Sequence, residues 1–242
     1  MEELIYTPTS EQVARALLNS GSYLIKDIVS LLDKTKWFKW KSGIEAPVYT
    51  NCRYLLGNPG ATAVVVQSLV SSIKNNFPGV ELIVGVEAAG IQWSSTVAFD
   101  MGLPTAFVRK RAKEHGVDEG RFVGSPNNLR NVTAVVVDDL VASGESLEEA
   151  IKALREEKQI NVVGVQSIVN WNFNHMKERF RRLNIPIKAL VSYPQILNEA
   201  MSQEIIDSEI KDELLFFYQN PRSHIFNFQF LIDRITKSGT DN

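Results

Sequence analysis

The sequence predicts an α/β fold in which a central, mostly parallel sheet is covered by helices on both faces. Apolar segments of strand length alternate with amphipathic segments of helix length along the chain. The strand segments are continuously apolar, which is typical of parallel strands buried on both sides. The 242 residues suit one domain. We predict a single domain with an N-terminal segment at about 1–58, a core at about 60–192 and a helical tail at about 193–242.

The predicted elements follow the chain in order. An N-terminal helix begins after Thr9, which forms a capping-box pattern with Gln12, and ends near Gly21. A second, long helix is stopped by Pro78 and Gly79. The later segments alternate between strand and helix around one polar stretch, and they are ELIVGVE (strand), IQWSSTVAFDMG (helix), PTAFVRK (strand), residues 110–124 (polar), VTAVVVDDL (strand), SLEEAIKALREEK (helix), NVVGVQSIV (strand), FNHMKERFRRL (helix), IPIKALVSY (strand) and a helical tail at about 194–219.

The composition narrows the functional classes. Hydrophobic residues make up 44% and charged residues 22%, which is the balance of an ordinary globular protein. The formal net charge of −2 gives no basic field that would favour a nucleic acid or a membrane surface as partner. The single cysteine, Cys52, excludes an intramolecular disulfide and any site with several cysteine ligands. The sequence has no charged-then-apolar leader and no apolar run of about 18 residues, so we expect a cytoplasmic protein.

Several polar segments fall at the predicted ends of strands. In an open parallel sheet, ligands bind outside the carboxyl ends of the strands. Four segments collect there, namely GVEAAGI, VRKRAKEHG, DDLVASGES and NWNFN. We therefore expect a single crevice to hold all four.

The segment VVVDDLVASGES, residues 135–146, combines two kinds of ligand group. Asp138 and Asp139 end an apolar strand, and carboxylates accept hydrogen bonds from sugar hydroxyls. The small-residue turn that follows opens a helix, and its backbone N–H groups form an anion site. The pattern favours a ribose-phosphate ligand. For either acid alone, the simpler alternative is an aspartate that ends a strand and caps the next helix.

Four segments carry a resemblance to a known enzyme family. AVVVDDLVASGES resembles the phosphoribosyl-pyrophosphate (PRPP) motif of type I phosphoribosyltransferases. FVRKRAKEHGVDEGRFVG, residues 107–124, resembles the mobile loop of orotate phosphoribosyltransferases, and residues 38–55 and 85–91 resemble two further segments of that family. The resemblance implies the type I phosphoribosyltransferase fold, with a mostly parallel sheet and a helical C-terminal tail. In this fold the N-terminal segment at about 1–58 would form a small hood beside the sheet.

The resemblance also implies a role for each matched residue. Lys113, Asp138 and Asp139 would be catalytic, and the two aspartates would help to seat a magnesium ion, Mg²⁺, together with PRPP. Cationic loop residues would meet the negative charge that grows on the leaving pyrophosphate. The implied PRPP-binding residues are Lys41, Ala89, Gly90, Arg109, Lys110, Lys113, His115, Asp138, Asp139, Ala142, Ser143, Gly144, Glu145 and Ser146. The base-binding residues that we expect are Tyr49, Thr50, Arg53 and Trp171. The family also implies a homodimer in which the 110–124 loop is shared between subunits.

Three departures from the family pattern bear on the ligand. Ala142 lacks the hydroxyl that many relatives direct at the substrate. Asn170 and Trp171 stand where some relatives present an Asp-Arg pair that reads orotate. Glu145 puts a carboxylate near the expected 5-phosphate. There it either caps the helix and points away from the ligand, or it competes with the phosphate.

The leading hypothesis is an orotate phosphoribosyltransferase, which converts orotate and PRPP to orotidine 5′-phosphate and pyrophosphate in pyrimidine nucleotide synthesis. A phosphoribosyltransferase for another base is the first alternative, on the evidence of Ala142 and the NWNFN segment. A non-catalytic sensor that keeps the PRPP pocket is the second, on the evidence of Glu145. The loop that contains Lys113 and His115 argues against the sensor, because a sensor has little use for leaving-group chemistry.

Overall fold

The computed structural model describes residues 8–40, 42–113, 120–124, 129–171, 173–219 and 221. The strands in these ranges are β1 (Tyr23–Ile25), β2 (Phe38–Lys39), β3 (Glu45–Ala46), β4 (Val48–Thr50), β5 (Leu82–Val86), β6 (Thr105–Lys113), β7 (Gly120–Val123), β8 (Thr133–Val141), β9 (Asn161–Asn170) and β10 (Ile187–Ser192). The helices are α1 (Ser10–Asn19), α2 (Ile28–Leu31), α3 (Pro59–Asn76), α4 (Ala89–Met101), α5 (Glu145–Lys158), α6 (Asn174–Leu183), α7 (Tyr193–Ser202) and α8 (Ser208–Gln219). Short 3₁₀ turns lie at Lys34–Lys36 and Cys52–Gly57.

A six-stranded sheet organises the chain and confirms the predicted α/β class. Its strands lie in the order β10-β9-β8-β5-β6-β7, and β7 is antiparallel to β6 while the other pairs are parallel. The chain moves from β5 to β6 on one side of the sheet, and from β8 to β9 and β10 on the other. The direction therefore reverses between β5 and β8. The crevice outside the carboxyl ends of the strands at such a point is where sheets of this class bind ligands.

Both faces of the sheet are buried, which explains the continuously apolar strands. Ile83 and Val135 belong to the core on one face, which includes residues of α1, α3, α4, α7 and α8. Leu82 and Val136 belong to the core on the other face, which includes residues of α5 and α6. Because successive side chains of a strand point to opposite faces, two covered faces require an apolar residue at every position. The acidic side chains of β8, Asp138 and Asp139, accordingly follow Val137, which is the last residue that pairs with β5, and they precede the final two residues of the strand.

The helix boundaries predicted for the N-terminal half are confirmed. Thr9 and Gln12 form both hydrogen bonds of the capping box. The Thr9 backbone N–H donates to Gln12 Oε1 at 2.8 Å, and the Gln12 backbone N–H donates to Thr9 Oγ1 at 3.3 Å. The second predicted helix, α3, ends at Asn76, shortly before Pro78 and Gly79. Asn58 caps its start by accepting a hydrogen bond from the α3 backbone.

As far as Gln219, the predicted helical tail consists of two helices that pack on the rest of the chain; residues 222–242 of the predicted tail lie outside the described residues. The Tyr193 hydroxyl in α7 donates a hydrogen bond to the carbonyl oxygen of Leu214 in α8 at 3.1 Å. Arg15 Nε in α1 donates to Glu199 Oε1 in α7 at 2.7 Å, so the tail is tied to the first helix. Among the described helices, none combines the length and the apolar character needed to cross a membrane.

The polar stretch predicted as a loop, residues 110–124, is in part a β-ribbon. Strand β6 continues as far as Lys113, and the chain returns as β7, which places Lys113 opposite Gly120. Ala106 and Val108 of β6 still belong to the core, but beyond them antiparallel backbone hydrogen bonds hold the ribbon together. The apolar periodicity that reveals the other strands is consequently absent from this part of the sequence.

Gly164 in β9 packs against the ring of Phe77, which is 4% exposed. A Cβ at position 164 would lie 2.5 Å from Phe77 Cζ, so the buried ring would have to move. We expect Gly164→Ala to lower the free energy of unfolding by about 1–3 kcal/mol. Gly57→Ala is the matched control, because a Cβ there meets no atom within 4 Å. Urea unfolding of both variants measures the difference, and equal stabilities would contradict the close packing.

Candidate active site

The turn before α4 lies directly against the end of β8. A Cβ on Gly90 would lie 2.6 Å from the carbonyl oxygen of Val137 and 3.4 Å from Asp138 Oδ1. Only glycine fits without a shift of one of the two backbones. Helix α4 begins at Ala89, and the preceding Glu87–Ala88 peptide is cis. We refer to residues 87–90 as the Gly90 turn. The structure thus brings together two of the segments that the sequence predicts for one crevice.

Asp138 and Asp139, the acid pair, lie on β8 beside this turn. The backbone N–H of Asp139 donates a hydrogen bond to Asp138 Oδ1 at 2.9 Å. Burial raises the pKa of the Asp139 carboxyl above its usual range. The positive charge of Arg53 acts in the opposite direction and favours the ionised form. The acid pair is therefore partly withdrawn from water and has a cation of the hood nearby.

Cys52 joins the hood to the acid pair. Its Sγ lies 3.8 Å from the carbonyl oxygen of Asp139, and the residue is fully buried. Burial raises the pKa of the Cys52 thiol well above its usual range, and the neighbouring Asp139 and Asp138 carboxylates raise it further. The thiol stays protonated, so its role is to pack and donate a hydrogen bond rather than to react. Through this contact, the 3₁₀ turn that contains Arg53 is held against the end of β8.

Two further expected base contacts end strand β4 of the hood. The Tyr49 side chain is 37% exposed, and its ring centroid lies 5.4 Å from that of Phe38. The Thr50 hydroxyl is buried and has no hydrogen-bond partner among the described residues. A buried hydroxyl without a partner is costly, and an incoming ligand group could satisfy it.

Trp171 lies in the core instead of lining the crevice. The residue is 3% exposed, and its ring centroid lies 4.6 Å from that of Trp40 and 4.7 Å from that of Tyr193. Its backbone N–H donates to the carbonyl oxygen of Val141 at 2.9 Å. We expected Trp171 to contact the base, and its position corrects this expectation. The rings of Trp40 and Tyr193 cover the indole ring on the core side.

Gly144 shapes the turn between the acid pair and α5. Its φ of +74° lies in the left-handed region, and a Cβ there would lie 2.5 Å from Phe180 Cε2. Gly144 is the N-cap of α5, which begins at Glu145, whereas we predicted a start near Ser146. A helix leaves its first backbone N–H groups without helical acceptors, so this end can receive an anion. The residues that we call the phosphate turn are Ala142, Ser143, Gly144, Glu145 and Ser146.

Glu145 has a partner that the sequence does not reveal. The alternative in which Glu145 caps α5 is wrong, because Gly144 occupies the N-cap position, and the Glu145 backbone N–H donates a hydrogen bond to Ser143 Oγ at 3.5 Å. Glu145 Oε1 instead lies 3.6 Å from Arg179 Nη2 in α6. No local pattern could have indicated Arg179, because the contact joins two helices that are separated by a strand.

The cationic residues of the predicted loop are described only in part. The Arg109 guanidinium lies 5.9 Å from the centroid of the Phe107 ring, and the Arg109 carbonyl accepts a hydrogen bond from Arg121 Nε at 3.1 Å. The predicted site residues that lie outside the described residues, wholly or in their side chains, are Lys41, Lys110, Lys113 and His115. Among the described residues, the candidate site consists of the acid pair and the Gly90 turn, which are in contact, with the phosphate turn following on the same segment as the acid pair.

Comparison with known proteins places this crevice in a family. A family model for the phosphoribosyl transferase domain matches residues 59–179, which contain the Gly90 turn and the acid pair. The chain is 32% identical over 214 residues to an orotate phosphoribosyltransferase of Fusobacterium nucleatum subsp. nucleatum, which covers 87% of this chain and 95% of the relative. It is 30% identical over 211 residues to an orotate phosphoribosyltransferase of Listeria innocua, with coverage of 87% and 96%.

Solved structures show the same fold. The orotate phosphoribosyltransferase from Aeropyrum pernix has a TM-score of 0.64 at 23% identity, covering 77% of this chain and 97% of that one. The Leishmania donovani UMP synthase has a TM-score of 0.69 at 23% identity, covering 86% of this chain and 42% of that one. With the sheet order, the acid pair and these relatives in agreement, the chain belongs to the orotate phosphoribosyltransferase family of type I phosphoribosyltransferases.

Proposed function

We propose that this chain transfers the phosphoribosyl group of PRPP to orotate, which yields orotidine 5′-phosphate and pyrophosphate. The contact of Gly90 with the end of β8 carries the proposal. In PRPP the pyrophosphate on C1 is adjacent to the hydroxyls on C2 and C3. A protein that holds both must therefore place its pyrophosphate donors beside its hydroxyl acceptors, and the Gly90 turn lies in this way beside Asp138.

The acid pair would bind the ribose. Carboxylates accept hydrogen bonds from the two hydroxyls, and their negative charge favours the positive charge that develops on the sugar as the C1–O bond breaks. The phosphate turn would receive the 5-phosphate through backbone N–H groups at the start of α5. Binding in this position aligns the sugar and the base, and no covalent enzyme intermediate is required.

The hood would supply the contacts to the base. Arg53 lies near Asp139, and a guanidinium matches the geometry of a carboxylate such as that of orotate. Tyr49 and the unpartnered Thr50 hydroxyl lie on the same strand of the hood. These three residues remain our proposed base contacts, and Trp171 is no longer one of them.

The β6–β7 ribbon would carry the leaving-group residues. By family resemblance, Arg109, Lys110, Lys113 and His115 gather the pyrophosphate, together with Lys41. Closure of this segment would exclude water, which would otherwise hydrolyse the activated sugar. We propose that the segment acts in the site of a second subunit of a homodimer, so that each site needs both chains. We also propose that the protein works in the cytoplasm, in pyrimidine nucleotide synthesis.

The acid pair fits a magnesium ion that arrives with its substrate. Among the described residues, no group of three or more His, Cys, Asp or Glu side chains could hold a metal ion. Mg²⁺ prefers oxygen ligands and is commonly held by one or two carboxylates together with substrate phosphates. Asp138 and Asp139 supply that number of carboxylates. When bound, the ion would neutralise charge on the leaving pyrophosphate, while the residues of the chain bind and orient the sugar.

Orotate should be the base that this protein uses. We expect pyrophosphate release from PRPP and Mg²⁺ in the presence of orotate, and none with uracil, hypoxanthine or nicotinate. Asp139→Asn should lower kcat/KM by about 100-fold, because the amide replaces a charge that faces the sugar. Asp100→Asn, on the exposed side of α4, is the matched control. Turnover of another base without orotate, or PRPP binding without turnover of any base, would contradict the proposed activity.

The Gly90 turn should not tolerate a side chain. Gly90→Ala would place a Cβ 2.6 Å from the Val137 carbonyl oxygen, which must separate the turn from the acid pair. A displacement of this size near reacting groups costs about 100-fold in turnover. At Gly60, a Cβ would meet its nearest neighbour at 3.6 Å, so Gly60→Ala should keep wild-type turnover. Comparable orotate-dependent rates for the two variants would argue against the juxtaposition on which the proposed function depends.

Mixed subunits should test the shared loop. Lys113→Ala and Asp139→Asn should each retain about 1% of the activity or less when alone, because one lacks the loop lysine and the other lacks an acid. In a homodimer with exchanged loops, subunits mixed in equal amounts form hybrids that contain one intact site. We therefore expect recovery of about a quarter of the wild-type activity after subunit exchange. Light scattering gives the oligomeric state in parallel, and no recovery in a confirmed mixed dimer would place the loop in its own subunit's site.

A further inference from the structure

Two carboxylates lie in the first turn of α5, directly after Gly144. Glu145 is the first residue of the helix, and Glu148 lies three residues further along. Acidic side chains at this end stabilise a helix through its dipole, but they also repel a phosphate dianion that binds at the same end. The carboxylates at the phosphate turn would therefore weaken phosphate binding unless a nearby cation neutralises them.

Arg179 of α6 contacts both carboxylates. Its Nη1 donates to Glu148 Oε2, and its Nη2 lies 3.6 Å from Glu145 Oε1. The Arg179 side chain is 25% exposed and that of Glu145 is 69% exposed, so a mostly buried cation holds a mostly exposed carboxylate. Within the described part of the chain, Arg179 is the only ion-pair partner of Glu145, whereas Glu148 also pairs with Lys152 at 2.9 Å. Removal of Arg179 would leave Glu145 unpaired, while Glu148 would keep a cation.

Helix α6 packs directly on the phosphate turn. A Cβ at Gly144 would lie 2.5 Å from Phe180 Cε2 and 3.4 Å from Arg179 Cδ. Phe180 is 3% exposed, so core packing fixes α6 at this place. Arg179 Nε is buried and has no hydrogen-bond partner in the described part of the chain. The guanidinium is therefore oriented through its two terminal nitrogens, by the carboxylates of α5.

We propose that Arg179 is a positioning residue for PRPP, because it turns the Glu145 carboxylate towards α6 and neutralises it when the 5-phosphate binds. The proposal rests on the proposed function, which assigns the 5-phosphate to the phosphate turn. The proposal explains how a site that binds a phosphate can also contain the Glu145 carboxylate. Arg179 does not touch the reacting atoms, so its loss should weaken PRPP binding and leave the chemical step unchanged.

A double-mutant cycle between Arg179 and Glu145 tests the proposal. Arg179→Gln should weaken PRPP binding about tenfold, because an unpaired carboxylate then lies beside the phosphate. Glu145→Gln alone should bind PRPP at least as tightly as the wild type, because it removes a carboxylate beside the phosphate and keeps the backbone N–H groups of the turn. The double variant should bind PRPP within about twofold of the wild type, because the repelling charge is gone. Titration calorimetry with PRPP and Mg²⁺ gives each Kd.

Kinetics of the same variants separate positioning from chemistry. For Arg179→Gln, the KM for PRPP should rise while kcat and the KM for orotate stay within about twofold of the wild type. The loss of affinity should also shrink as salt is added, because salt screens the repulsion between exposed charges. A defect of packing would not respond to salt in this way.

Arg181→Gln is the matched control, because Arg181 lies on the same helix and pairs with Glu178 on its exposed side, at 2.9 Å. This variant should bind PRPP as the wild type does. Recovery in the double variant is decisive, because a purely structural role for Arg179 predicts no recovery when Glu145 is also changed. Equal PRPP affinities for Arg179→Gln and Arg181→Gln, or a double variant no tighter than Arg179→Gln, would overturn the proposal.

Two features of the design keep the outcome clear. If Arg179→Gln is not folded by circular dichroism, Arg179→Met retains the apolar stem beside Gly144 and takes its place in the cycle. Calorimetry requires no orotate, so the double-mutant cycle can be measured whether or not the protein turns over orotate. A wild-type protein that binds PRPP without orotate-dependent turnover would contradict the proposed function alone. A wild-type protein that does not bind PRPP would overturn both proposals.

Discussion

The close contact between the end of β8 and the Gly90 turn governs the rest of the site. Strands β5 and β8 are neighbours and are covered on both faces, so their polar chemistry is confined to the carboxyl ends. There the carbonyl oxygen of Val137 occupies the space that a side chain at position 90 would need. The turn therefore meets the acid pair with its backbone. Oriented backbone dipoles and fixed carboxylates need little reorganisation when a charged ligand binds.

Parts of the chain that are distant in sequence hold the hood in place. Trp40 of the hood contacts Trp171 at the end of β9, and Trp171 packs against Tyr193 of the tail. Tyr193 stacks on Tyr218 with ring centroids 4.8 Å apart. Aromatic pairs of this kind contribute about 0.5–1.5 kcal/mol each beyond their buried area. The packing of the hood thus depends on helices that follow the central sheet in the chain.

Local patterns in the sequence were sufficient to predict the sheet, most helices and the acid pair. Strand ends, capping residues and small-residue turns are properties of contiguous segments, and a period of two or of about 3.6 residues reveals the buried faces. Asp138, Asp139 and Gly144 were found in this way. Gly144 is required by both its backbone angle and the contact with Phe180, although only the first of these requirements could be anticipated from the sequence.

The features that were missed depend on contacts between distant segments. The part of the β6–β7 ribbon beyond Val108 is polar and has no periodic pattern. Trp171 stands at a strand end where either direction of its side chain was compatible with the sequence. Arg179 belongs to an amphipathic helix rich in charged residues, and its pairing with Glu145 depends on how α5 and α6 pack. The chemistry of each residue was visible, but its partner was determined by tertiary packing.

The buried thiol of Cys52 provides a way to measure the opening of the hood. It is the single cysteine of the chain and lies between the hood and the carbonyl oxygen of Asp139. Because a thiol reagent reaches a buried sulfur only when the surrounding structure opens, the labelling rate reports the free energy of local opening. No engineered label is needed for this measurement. Substrate that binds beneath the hood would slow the labelling, so the wild-type chain contains its own probe for the closing of the site.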